Sequence, residues 1–92
     1  MKFNFYASFR SIANTRSLTL DLPAGTTVRQ AMEAIMEEIP DLRKPWINHK
    51  GEVYGHVHVI VNGDEVNTLP DKWDTALNPE DKLLFIPPVG GG

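Results

Sequence analysis

Apolar and polar residues alternate near the start of the chain, a pattern typical of half-buried β-strands. The alternation runs over residues 2–8 and returns over residues 18–22, where every second residue is leucine. A polar segment over residues 13–16 separates the two stretches and predicts a turn. We therefore expect two strands that pair as an N-terminal hairpin.

A single long helix is predicted after the segment Pro23-Ala24-Gly25, which breaks the second strand. Thr27 and Gln30 have the spacing of a capping box, in which each side chain accepts a hydrogen bond from the other residue's backbone N–H. Pro40 ends the helix because it has no N–H to donate. Between these limits apolar residues recur at helical spacing, at Val28, Ala31, Met32, Ile35 and Ile39.

Alternation returns in the second half of the chain. It predicts a strand over residues 57–61 and a last strand over residues 82–86. Asn62-Gly63 is a strong turn signal because both residues tolerate positive φ. A short return strand over residues 66–69 is expected to follow that turn.

The order strand, strand, helix, strand, short strand, strand predicts an α+β protein with the β-grasp (ubiquitin-like) fold. One main crossover helix would cover a mixed sheet and allow a later strand to join the hairpin in parallel. We expect one domain over residues 1–86 and a flexible C-terminal tail over residues 87–92. The poorly patterned segment 40–55 is expected to be a long loop held against the domain by Trp46, Ile47 and Tyr54.

Composition excludes several functional classes. Twelve acidic and nine basic residues give a net charge of −3, and no block of Lys or Arg offers a nucleic-acid surface. The absence of cysteine excludes disulfides, thiolate nucleophiles and cysteine-ligated zinc. No signal-peptide pattern occurs, and no stretch approaches the roughly 20 apolar residues that span a membrane. We expect a cytoplasmic protein that is soluble and, when free, monomeric.

Polar side chains that could act as ligands or catalysts are few. His56 and His58 share a strand face and His49 is near in sequence, but ordinary surface histidines explain this spacing better than a zinc site. The acid pairs Asp64-Glu65 and Glu80-Asp81 fall in predicted turns rather than a cleft. We therefore predict neither a metal site nor a catalytic residue.

The tail combines two prolines with three terminal glycines. The prolines end the strand because they cannot donate ladder hydrogen bonds. The last six residues could span at most about 20 Å and could carry the terminal carboxylate into a narrow channel. Terminal glycines also occur as frayed ends or remnants of expression tags. If functional, the chain would be attached through Gly92 and would thread into a partner with Gly91, Gly90, Val89, Pro88 and Pro87.

Three segments resemble a known family. Residues 85–92 resemble the end of MoaD-type sulfur carriers and of the ubiquitin-like small archaeal modifier proteins, which close in an aromatic-rich strand, Pro-Pro-Val, one variable residue and Gly-Gly. Residues 51–63 resemble the longer, archaeal-type members, and residues 25–31 resemble the usual start of their helix. Gly90 stands where Ser, Thr or Ala is more typical, a departure that should loosen the tail without removing its function.

The resemblance implies chemistry at Gly92 that a partner performs. A MoeB-like adenylating enzyme would spend ATP to make the Gly92 acyl-adenylate, and sulfur would replace AMP to give a thiocarboxylate. The sulfur could pass to a molybdopterin precursor, with the large subunit of molybdopterin synthase as a partner, or to a tRNA base. Alternatively, the activated glycine would form an isopeptide bond with a lysine of a target protein. The chain itself would bind no cofactor and catalyse nothing.

A third possibility is a non-covalent β-grasp interaction module with an inert tail. In each case alternation predicts an apolar docking patch, because residues between the core positions of the last strand should face outward beside the preceding long strand. The predicted docking residues are Ile86, Leu84, Ile60 and His58. The alternative is that the 40–55 loop covers some of them, with Trp46 as the candidate cover.

Overall fold

The computed structural model describes residues 1–88. The regular elements of this part are the strands β1 (Lys2–Phe5), β2 (Ser17–Thr19), β3 (His58–Val61), β4 (Asp64–Glu65) and β5 (Lys82–Ile86) and the helices α1 (Ala7–Ala13), α2 (Val28–Glu38) and α3 (Arg43–Trp46). Short 3-10 turns occupy Pro40–Leu42, Val66–Thr68 and Lys72–Asp74. None of the helices within residues 1–88 is long and apolar enough to cross a membrane.

The strands form one five-stranded sheet in the order β2-β1-β5-β3-β4. The central pair, β1 and β5, is parallel, and the other pairs are antiparallel. A parallel pair needs a crossover connection, and α2 lies in that connection. The predicted β-grasp fold is therefore confirmed.

The core lies between one face of the sheet and α2. Alternate strand residues are buried, and Phe3, Phe5, Leu83 and Phe85 are fully so. The predicted capping box of α2 is confirmed, because Gln30 N–H donates to Thr27 Oγ1 at 3.1 Å and Thr27 N–H donates to Gln30 Oε1 at 3.0 Å. From α2, the core receives Val28, Ala31, Met32, Ile35 and Met36.

The first strand is shorter than predicted. Strand β1 ends at Phe5, Tyr6 is the N-cap residue of α1, and Ala7, the first residue of α1, has a left-handed φ of 49°. Phe9 continues the alternation of β1 in sequence, but its ring packs edge-on against Trp46 at 5.9 Å and is buried. The alternation of β1 continues into the residues of α1, so the sequence pattern did not predict this helix. The contact of Phe9 with Trp46, which is distant in sequence, favours the helix instead.

The return strand is also displaced from the predicted residues 66–69. Asn62 and Gly63 adopt positive φ of 50° and 93°, as the turn signal predicts, and pairing resumes at once between Val61 and Asp64. The Glu65 carboxylate then accepts the Asn67 N–H at 2.7 Å. This local hydrogen bond favours a 3-10 turn over a continued strand.

The segment predicted to be a long loop contains a 3-10 turn and α3. Trp46, the last residue of α3, is fully buried, as expected of a residue that holds this segment to the domain. Ile47 is half-buried, whereas Tyr54 is 37% exposed and is not an anchor. The segment is therefore anchored by Trp46 together with Leu42, which is also fully buried.

Candidate functional site

The root of the tail lies at the end of β5, beside the end of β1. Tyr6 N–H donates to the Phe85 carbonyl at 3.1 Å, and β5 ends one residue later at Ile86. Pro87 is buried and Pro88 is exposed. The predicted attachment residue Gly92 and the predicted threading residues Gly91, Gly90 and Val89 lie outside the described residues.

The four predicted docking residues form one block on the face of the sheet opposite α2. His58 lies opposite Ile86, and Ile60 lies opposite Leu84, in the antiparallel pair of β3 and β5. Directly opposed residues have Cβ atoms about 4.5–5.5 Å apart, so the side chains are neighbours. His58 is exposed, and the three apolar residues are half-buried. We call Ile86, Leu84, Ile60 and His58 the docking block; its role stays a prediction.

Trp46 does not cover the docking block. Its ring stacks on Phe85 with centroids 4.7 Å apart and also lies 6.2 Å from the ring of Phe5. Both phenylalanines belong to the buried face of the sheet. The alternative in which Trp46 covers the outward residues is therefore wrong, because the core face of the sheet holds the indole.

Tyr6 and Arg10 extend the docking block toward β1, and sequence analysis did not select them. Tyr6 follows Phe5, the register partner of Phe85, and is 37% exposed. Arg10 Nε donates to the Phe5 carbonyl at 3.3 Å, and its guanidinium lies 5.7 Å from the centre of the Tyr6 ring. Tyr and Arg are enriched at energetically important interface positions. Alternation could have indicated Tyr6, but Arg10 reaches this place only through α1.

The histidines show no arrangement that holds a metal. His56 stacks on Tyr54 with ring centroids 5.0 Å apart, and His58 is in the docking block. Residues 1–88 contain no group of three or more metal-ligating side chains and form no pocket. The chemistry that the described part can support is surface recognition beside the exposed Pro88, the last residue that the structure describes.

A comparison with protein families decides the assignment. The model of the ThiS family matches residues 3–92. The chain belongs to the ThiS family. This assignment agrees with the resemblance of residues 85–92 to sulfur carriers and small archaeal modifier proteins, which is thereby confirmed.

Individual relatives support the ThiS-family assignment. The chain is 30% identical over 92 residues to small archaeal modifier protein 1 of Haloferax volcanii, covering 100% of both chains. It is 34% identical over 92 residues to small archaeal modifier protein 3 of the same organism, covering 100% of this chain and 98% of the relative.

Solved structures show the same fold. The crystal structure of small archaeal modifier protein 1 from Haloferax volcanii superposes with a TM-score of 0.89 and 27% identity, covering 99% of this chain and 97% of that one. A Pyrococcus furiosus protein described as molybdopterin converting factor, subunit 1, superposes with a TM-score of 0.73 and 26% identity, covering 96% and 95%. The chain is thus a ubiquitin-like protein of the ThiS family.

Proposed function

We propose that this chain is a sulfur carrier whose Gly92 carboxylate is activated by a MoeB-like adenylating enzyme. The observation that carries the proposal is that the family match continues past β5 and through the two final glycines. The similarity to a protein described as a molybdopterin converting factor subunit supports the same function. The reaction would take place in the cytoplasm, where ATP is available.

The proposed chemistry converts a poor electrophile into a reactive one. A Gly92 carboxylate oxygen attacks the α-phosphorus of ATP, pyrophosphate leaves, and an acyl-adenylate forms. Hydrosulfide then attacks the acyl carbon, the bond to the phosphate oxygen breaks so that AMP leaves, and loss of a proton gives the thiocarboxylate. ATP and the catalytic groups belong to the enzyme, while this chain contributes the docking block and the terminal glycines. The sulfur acceptor would be a molybdopterin precursor on the synthase large subunit, or a tRNA base.

Reconstitution with the adenylating enzyme of the source organism tests the proposal. With ATP, intact mass spectrometry should show an AMP adduct on the chain, and a sulfur donor should replace one terminal oxygen by sulfur. Fragmentation should place both changes on Gly92. If the chain stays unmodified while the enzyme adenylates another carrier in the same assay, the proposal is wrong.

Protein modification is the second candidate function. Its support is that two relatives that match the full length of this chain are small archaeal modifier proteins. The same activated Gly92 would then be attacked by a lysine Nζ, and an isopeptide bond would form as the leaving group departs. Larger adducts that resist reducing agents in cell extracts would favour this role. A non-covalent interaction module would show neither adducts nor a thiocarboxylate.

We expect the docking block to determine affinity for the adenylating enzyme. Placing a carboxylate at its centre, by Leu84→Glu or Ile60→Glu, should weaken binding about tenfold or more, because a charge would have to be desolvated in an apolar contact. Binding is measured by calorimetry, with circular dichroism to verify the fold. Lys44→Glu, on α3, makes a charge change away from the docking block and should leave affinity within about twofold. Equal affinity for all variants would contradict the proposed role of the docking block in binding the enzyme.

A further inference from the structure

The outward face of the sheet carries a second feature beyond the docking block. Lys2 of β1 and Lys82 of β5 are register partners at the end of the parallel pair that is farther from the tail. Both side chains are exposed. Neighbouring strands lie about 4.8 Å apart, so two positive charges stand side by side on one face. We call Lys2 and Lys82 the lysine pair.

No ion pair within the part of the chain that the structure describes involves the lysine pair. Within residues 1–88 the ion pairs are Arg29 with Asp74 and Arg43 with Glu33, and neither involves the pair. Asp81, next to Lys82 in sequence, accepts the Asn78 N–H at 2.8 Å. Like charges on directly paired strand positions are destabilising, so this arrangement costs some stability in the free protein.

The charge of this face differs from that of the whole chain. The net charge is −3, yet the strand positions that share the face within residues 1–88 carry two lysines and one acid, Glu65. Glu65 lies on the edge strand β4 opposite Ile60, and its carboxylate accepts hydrogen bonds from Asn67 N and Nδ2 at 2.7 and 3.1 Å. The face is therefore basic where the lysine pair stands.

The lysine pair is continuous with the docking block. Lys82 and Leu84 are two residues apart on β5, or about 6.6 Å, and they point to the same side. The distance from Lys82 to Ile86, at the root of the tail, is about 13 Å. A protein that covers the docking block while receiving the tail would thus also cover, or border, the lysine pair.

We propose that the lysine pair is a recognition element for an acidic surface on the adenylating enzyme. The enzyme would place carboxylates beyond the apolar contact that covers the docking block, about 13 Å from the tail root. Charges at the rim of an interface act mainly on the association rate and on salt dependence. The lysine pair would orient the chain so that its tail meets the active site. This inference rests on the proposed function and names the chemistry of its partner.

The test measures association of the chain with the source organism's adenylating enzyme at about 0.05 M and about 0.5 M sodium chloride. For Lys2→Glu/Lys82→Glu we expect association at low salt to be slowed about tenfold or more, with most of the difference lost at high salt. The matched control, Lys44→Glu/Lys50→Glu, has the same net charge but alters lysines outside the sheet, and it should behave nearly as wild type. Equal slowing by both double variants would show a general charge effect and overturn the inference.

A variant with one reversed charge separates an effect on binding from an effect on folding. Lys2→Glu replaces the repulsive pair by an attractive one, so thermal stability should be unchanged or higher while association at low salt is slowed. Unaltered association with normal adenylation of Gly92 would overturn the role of the lysine pair and leave the proposed function intact. Failure of the wild-type chain to bind or to be adenylated would overturn both.

Discussion

Replacing Gly91 with phenylalanine is expected to leave the folded domain intact and to reduce adenylation of Gly92 by about a hundredfold or more. The terminal carboxylate remains in this variant, so the loss measures access to the enzyme rather than removal of the reacting group. Misplacement of a reacting atom by about 1 Å can cost about a hundredfold in rate. A benzyl group beside the reacting residue should displace it by at least that much in a channel shaped for glycine.

Deleting Gly92 also tests whether the terminal carboxylate must reach a fixed position in the enzyme. The new terminal carboxylate, on Gly91, is held back by about 3.5 Å, and adenylation should again fall by about a hundredfold or more. Both variants are assayed by ATP–pyrophosphate exchange with the adenylating enzyme.

Gly90→Ser is the matched control for both tail variants. It places a side chain one residue before the final two glycines, where the family more typically has Ser, Thr or Ala. Adenylation should stay within about threefold of the wild type. If Gly91→Phe and the Gly92 deletion were adenylated as fast as Gly90→Ser, the enzyme would not require the two final glycines, which contradicts the proposal. A non-covalent interaction module would then describe the function of this chain better.

Trp46→Ala is expected to give a large loss of stability. The indole is fully buried and contacts the rings of Phe5, Phe9 and Phe85 at centroid distances of 6.2, 5.9 and 4.7 Å. Removing a buried aromatic side chain costs about 3–5 kcal/mol of unfolding free energy. A domain of this size has about 5–14 kcal/mol in total, so much of its stability would be lost. The thermal midpoint should fall by more than about 12 °C.

Tyr54→Ala is the control in the same segment of the chain. Tyr54 is 37% exposed and stacks on His56, so its removal should change stability by no more than about 0.5 kcal/mol. Calorimetric or denaturant unfolding of both variants checks the prediction. Equal losses would mean that Tyr54 anchors the 40–55 segment as strongly as Trp46, contrary to the difference in their burial.

Trp46→Phe separates the effect of the ring from that of its indole N–H group. The Nε1–H of Trp46 is buried and has no hydrogen-bond partner within residues 1–88. A buried donor without a partner costs about 1–3 kcal/mol, and phenylalanine would remove that cost while leaving a smaller cavity than alanine. We therefore expect Trp46→Phe to lose much less stability than Trp46→Ala.

Local patterns in the sequence were sufficient for much of the fold and for the family assignment. Alternation correctly assigned Leu83 and Phe85 to the core, because side chains of a strand point to opposite faces. The capping pair Thr27 and Gln30 correctly placed the start of α2, because both partners lie within one turn. Residues 85–92, together with residues 25–31 and 51–63, carried the family resemblance.

Tertiary contacts decided the features that no local pattern specifies. Phe9 continued the alternation of β1, but packing against Trp46 holds it in α1, and α1 in turn brings Arg10 to Tyr6. Packing on Phe85 likewise places Trp46 on the core face rather than over the docking block. These contacts join residues far apart in sequence, so a window of neighbouring residues does not contain them.

The composition of the outward face of the sheet, which carries the docking block and the lysine pair, shows the same division. Alternation alone predicts that Leu84 and Ile86 point outward, since that depends only on their neighbours in β5. The pairing of Lys2 with Lys82 depends instead on the parallel register of two strands separated by almost the whole chain. Register is chosen by the joint packing of β1, β5 and α2 over one core. The tertiary structure therefore decided which charges stand together, while local sequence decided which side chains could reach that face.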